Sequence, residues 1–73
     1  MIEKISIATE FIKLDSFLKL CGAASTGGEA KMMIADGLVL VNGEGCTMRG
    51  KKMRPGDTVT FSDRTASYEV TDP

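Results

Sequence analysis

Two short packed helices against a small antiparallel β-sheet, with an extra N-terminal strand, is the α+β arrangement that this sequence predicts. Three observations carry it. Apolar and polar residues alternate around Ile5 and Ile7, a helical period runs from Leu14 to Ile34 with one glycine-marked interruption, and alternation returns after Gly37.

Ile5 and Ile7 alternate with Lys4 and Ser6, which reads as a first strand. Leu14, Phe17, Leu18 and Cys21 then fall at i, i+3, i+4 and i+7, giving one apolar helical face over about residues 13–21. Gly22 ends that helix, and Asp15 in its first turn complements the dipole. The second helix, about 27–36, has both ends marked. Thr26 with Glu29 three residues later fits a capping box, and Gly37 suits the left-handed position after the last turn. Ala30, Met33, Ile34 and Leu38 form its buried edge. Gly27 and Gly28 each cost about 1 kcal/mol of helix propensity against Ala. That cost implies either a close helix crossing or a ligand approaching bare backbone.

From Leu38 the alternating "LVLV" meets Asn42-Gly43, the residues of a type I′ hairpin turn, and Gly45 in the returning strand suggests a bulge. Arg54-Pro55-Gly56-Asp57 has the pattern of a type II turn. "TVTF" and "ASYEV" are two further strands around "SDRT". The expected core is Leu14, Phe17, Leu18, Ala30, Ile34, Leu38, Val41 and Val59.

With 73 residues, the chain is expected to form a single domain over 1–73 with a small core. No segment approaches the roughly 20 apolar residues of a membrane span, and the start lacks the apolar run of a signal peptide, so a cytoplasmic protein without a membrane partner is expected. Histidine is absent, and Cys21 and Cys46 lie far apart, too few for a zinc site. The cysteines are expected as buried or half-buried free thiols. Asp36, Glu44 and Asp57 read as turn and cap acids without a partner base, so no catalytic residue, metal or cofactor is expected. The aromatic residues, Phe11, Phe17, Phe61 and Tyr68, are too few for base stacking to dominate nucleic-acid binding.

The charge is uneven. The chain has a formal net charge of −1, yet Arg49, Lys51, Lys52 and Arg54 fall within six residues of "RGKKMRPGD". Four neighbouring cations repel one another unless an anion neutralises them, which points to a polyanion. Lys31 lies one turn into the second helix, near an N-terminus that favours phosphate. Ser25 and Thr26 can donate hydroxyl hydrogens there, with helix capping as the equal alternative. Lys13 and Lys19 flank the first helix and converge with the basic stretch if the two helices cross at a right angle, although each of Lys13, Lys19 and Lys31 taken singly reads first as a solvated surface lysine. The acids would then occupy the opposite face.

"KLDSFLKLCG", "STGGEAKMMIADGLVLVNGE" and "KMRPGD", in this order, resemble the RNA-binding domain named after small-subunit ribosomal protein S4, also called the αL motif, with a motif core over 13–59. "TGGEAK" and "RGKK-RPGD" are similar to the small, stand-alone bacterial members. Met32 departs from the pattern where a second basic residue is common, and Gly45 stands where a β-branched residue is common. The resemblance implies a two-helix and β-strand module that binds structured RNA, ribosomal RNA or tRNA, without chemistry of its own. A role in ribosome assembly or translation and the ribosome as a partner follow from it. It also implies that the turn at Asn42 approaches RNA. The RNA-binding set is therefore Lys13, Lys19, Ser25, Thr26, Lys31, Asn42, Arg49, Lys51, Lys52 and Arg54. The rival reading is a small interaction module whose basic loop binds an acidic protein.

Overall fold

Cap and turn chemistry sets most element boundaries. The computed structural model describes residues 2–73. In chain order the elements are β1 (Ile2–Ser6), β2 (Ile12–Lys13), α1 (Leu14–Leu20), α2 (Gly27–Ala35), β3 (Val39–Val41), β4 (Glu44–Gly45), β5 (Lys52–Met53), β6 (Thr58–Phe61) and β7 (Ser67–Thr71). Both helices lie within one residue of their expected limits. Leu14, Phe17 and Leu18 of α1 and Ala30, Met33 and Ile34 of α2 are buried, and the two helices pack on each other.

At the start of α2 the Thr26 hydroxyl oxygen accepts from the Glu29 N–H at 3.1 Å. The Glu29 carboxylate reaches back to the Ser25 N–H at 2.9 Å, one residue further than in the usual capping box. At its end Gly37 has φ 76°, with its N–H donating to the Ile34 carbonyl and the Leu38 N–H to the Met33 carbonyl, both at 3.1 Å. These two bonds make a Schellman motif, which needs the left-handed residue that glycine provides.

Five strands form one sheet in the order β1-β7-β6-β3-β4. β3 pairs antiparallel with β4 and β6, and β6 antiparallel with β7, while β1 joins the β7 edge in parallel. β2 and β5 make a separate two-stranded antiparallel ribbon. Asn42 and Gly43, at φ 52° and 85°, close the β3–β4 hairpin as the type I′ turn requires. Gly45 pairs regularly with Leu40, and the Cys46 N–H continues the ladder to the Val39 carbonyl at 3.0 Å, so there is no bulge at Gly45.

The core centres on Leu14, Phe17, Leu18, Ile34, Met53, Val39, Val59 and Val70. Leu38 departs from expectation and is only half-buried. It belongs to the Schellman motif, and inward alternation starts at Val39 and continues with Val41. Gly27 and Gly28 also differ from a packing role. A Cβ at Gly27 would meet nothing within 4 Å, and at Gly28 only the Thr26 hydroxyl at 3.9 Å. The helices do not cross there, and the start of α2 presents open backbone.

The glycines of α2 should therefore separate on substitution. Gly28→Ala gains helix propensity without a clash and should raise unfolding stability by a few tenths to about 1 kcal/mol. Gly37→Ala forces a Cβ into left-handed backbone and should lower it by about 1–2 kcal/mol. Urea denaturation measures both, and equal effects of the same sign would contradict these roles.

Candidate nucleic-acid interface

The basic stretch begins in a tight turn, with the Lys51 N–H donating to the Met48 carbonyl at 3.1 Å, and continues as β5. Alternation along Lys52-Met53-Arg54 buries Met53 completely and leaves both cations exposed. In the β2–β5 ribbon Ile12 pairs with Met53, and Lys13 lies directly opposite Lys52. Ile12 and Met53 face the core. The other face carries Lys13 and Lys52, with Phe11 and Arg54 one step beyond the ladder.

The same stretch caps α1. Lys13, the N-cap residue, makes no side-chain cap, as an ammonium has no acceptor to offer. Instead, the Leu14 N–H donates to the Lys51 carbonyl at 2.8 Å and the Asp15 N–H to the Arg49 carbonyl at 3.2 Å. Capping α1 thus ties Lys13, Arg49, Lys51, Lys52 and Arg54 into one cluster. Among the described residues the one ion pair is Asp63–Arg64, at 3.2 Å, and no acid pairs with any member of the cluster.

Other expected site residues lie elsewhere. Lys19 is at the opposite end of α1, where a cation complements the helix dipole. Lys31 is exposed on α2, with exposed Ser25 and Thr26 at that helix's start. Thr26 accepts the helix-capping bond, so its oxygen is engaged. Asn42 spends both ends of its amide on the neighbouring turn. Its Nδ2 donates to Asp57 Oδ1 at 3.1 Å, and its Oδ1 accepts from the Thr58 N–H at 2.9 Å. The second Asp57 oxygen accepts from the Arg54 N–H at 2.8 Å. Asn42 and Asp57 thereby join the hairpin turn to the end of the basic stretch. Separation of charge by face is incomplete, because Asp15 and Asp57 both sit against that stretch.

Phe11 is not among the expected site residues, yet it joins this cluster. Its half-buried ring lies under the Lys52 ammonium, 5.0 Å from the ring centroid, and under the Arg54 guanidinium at 5.8 Å. The available signal was the alternation Phe11-Ile12-Lys13, but only pairing with β5 gives it meaning. Met53 was missed as a core anchor for the same reason.

Both cysteines are free and half-buried. The Cys21 thiol donates to the Leu18 carbonyl at 3.6 Å, and burial pushes its pKa up. Among the described residues no group of three His, Cys, Asp or Glu side chains could hold a metal ion, and no helix is long and apolar enough to cross a membrane.

The family model described as "S4 domain" matches residues 5–71. "Probable ribosome maturation protein RlbA" of Bacillus subtilis (strain 168) is 46% identical over 59 residues, which cover 81% of this chain and 83% of that protein.

Two outcomes follow from the geometry. Asn42→Gly keeps the turn backbone but removes the amide bonds to Asp57 and Thr58, and should cost about 1 kcal/mol in chemical denaturation. In a double-mutant cycle it should be less than additive with Asp57→Ala, because both remove the same bond. Independently, Cys21 should be alkylated at pH 7 more slowly than a thiol in an unstructured peptide, since less of it is thiolate. A rate equal to the peptide's would mean that burial does not control this thiol.

Proposed function

The chain belongs to the S4 domain family, and on that premise we propose that it is a non-catalytic, cytoplasmic RNA-binding protein that acts in ribosome assembly. The observation that carries the reading is the cation cluster around the β2–β5 ribbon, in which Lys13 and Lys52 stand directly opposite one another and with which, among the described residues, no acid makes an ion pair. A like-charge cross-strand pair is destabilising, by an amount on the order of 0.2–1 kcal/mol. A polyanion turns that cost into binding energy.

Arg49, Lys51, Lys52, Arg54 and Lys13 form the centre of the proposed face. Lys31, Ser25 and Thr26 at the start of α2 extend it, where the open backbone of Gly27 and Gly28 leaves room for a phosphate. Lys19 and the Asn42 turn are its margins, Asn42 contributing mainly by holding the turn. Recognition rests on phosphate and shape, because an A-form helix hides its major-groove edges from side chains. The ribosome maturation protein that shares 46% of aligned residues supports ribosomal RNA over tRNA as the target.

With about four to five phosphates neutralised, the logarithm of affinity for a structured RNA should fall with the logarithm of salt at a slope of roughly −3 to −4.5. Lys51→Ala with Lys52→Ala should flatten the slope by about one to two and weaken binding to different structured RNAs by similar factors. Fluorescence anisotropy over a salt series measures both. A double variant that binds like the parent at physiological salt, or a parent that prefers an acidic polypeptide to RNA, would overturn the reading.

A further inference from the structure

The aromatic ring inside the cation cluster has no counterpart elsewhere on the proposed face. Phe11 precedes β2, is half-buried, and carries the Lys52 ammonium and the Arg54 guanidinium over its ring at 5.0 and 5.8 Å from the centroid. Lysine and arginine side chains have many rotamers, and holding two of them in place before a ligand arrives normally costs conformational entropy. The ring's negative face offsets that cost by attracting both cations. Met53, buried between them, fixes the backbone from which they project. Their Cα atoms, two residues apart on an extended segment, are separated by roughly 6.4–6.8 Å. That distance is of the order of the step between successive phosphates of one RNA strand.

We propose that Phe11 is a positioning residue that holds Lys52 and Arg54 as a preformed fork for adjacent phosphates of one RNA strand. The inference rests on the RNA-binding reading above, and it assigns the aromatic side chain to organising charge. With two cations already over it, the ring is committed within the protein, which argues against its use as a stacking surface for a base. Lys13, opposite Lys52 in the ribbon, is placed to extend the fork along the strand.

The test has three parts. In the unliganded protein, NMR should show upfield ring-current shifts at the Lys52 Hε and Arg54 Hδ protons, lost in Phe11→Leu and kept in Phe11→Tyr. Shifts at random-coil values in the unsubstituted protein would overturn the proposal, even if Phe11→Leu fails to fold. By anisotropy, Phe11→Leu should bind a fully base-paired RNA hairpin stem roughly three- to tenfold more weakly, and Phe11→Tyr should restore most of that loss. The salt slope of Phe11→Leu should stay close to the parent's, because no charge has been removed, whereas Lys52→Ala should flatten it by about one. Finally, Lys52→Ala should cost less in the Phe11→Leu background than in the parent, the coupling expected of a cation held by that ring. Unchanged affinity of Phe11→Leu for the paired stem, or a loss confined to RNAs with unpaired nucleotides, would overturn the fork. The second result would point to base stacking. Absence of salt-dependent RNA binding by the parent protein would overturn the RNA-binding reading itself.

Discussion

The docking of the α1 N-terminus onto the basic stretch is the contact on which the cation cluster depends. Lys13 cannot cap the helix with its own side chain, so the carbonyls of Lys51 and Arg49 receive the first N–H groups. Met53, fully buried beside them, anchors the same stretch in the core. Burial of such a side chain contributes about 1.5–3 kcal/mol, and the two backbone bonds about 0.5–1.5 kcal/mol each. The opposing cross-strand repulsion of Lys13 and Lys52 is on the order of 0.2–1 kcal/mol. Anchoring therefore outweighs repulsion, and the basic stretch stays docked with its cations exposed at the surface.

The rest of the framework braces the far end of that stretch. Asp57 accepts from the Arg54 N–H and from Asn42, while the Gly56 N–H donates to the Val70 carbonyl at 2.8 Å and the Val70 N–H to the Asp57 carbonyl at 2.9 Å. A polar turn is thus joined to the hairpin on one side and to β7 on the other. Because β7 also carries β1, the N-terminal strand and the basic segment belong to one connected frame. Such bracing lowers the ordering cost of binding at a surface. The acids are part of this design: Asp57 stabilises the turn that presents Arg54, which is how acidic residues come to lie against a cationic face.

A net charge of −1 does not conflict with binding a polyanion. At physiological ionic strength charges separated by more than about 8 Å are largely screened, so local arrangement dominates over the sum. Among the described residues the five cations of the cluster have no ion-pair partner, whereas Arg64, on the turn between β6 and β7, is paired with Asp63.

Features set by a few neighbouring residues were legible in the sequence: the Thr26–Glu29 cap, the Gly37 stop, the Asn42-Gly43 hairpin and the Pro55-Gly56 turn. Each depends on φ preferences or on a hydrogen bond spanning a few positions, and the structure has all four. The basic stretch was equally visible, being contiguous. Leu38 was misplaced because a Schellman motif and a strand start compete for the same residue, and periodicity alone does not say where counting begins. Local sequence left open whether Gly27 and Gly28 meet another helix or open space, and it was silent on Met53 as an anchor, on the parallel edge pairing of β1, and on Phe11 beneath Lys52 and Arg54. All four depend on which segments meet across long stretches of chain. By itself, then, the sequence determined the elements, their ends and the presence of the cations. Only the tertiary structure decided which cations stand together and what holds them, because strand pairing and helix docking are cooperative choices among edges that short-range patterns leave equivalent.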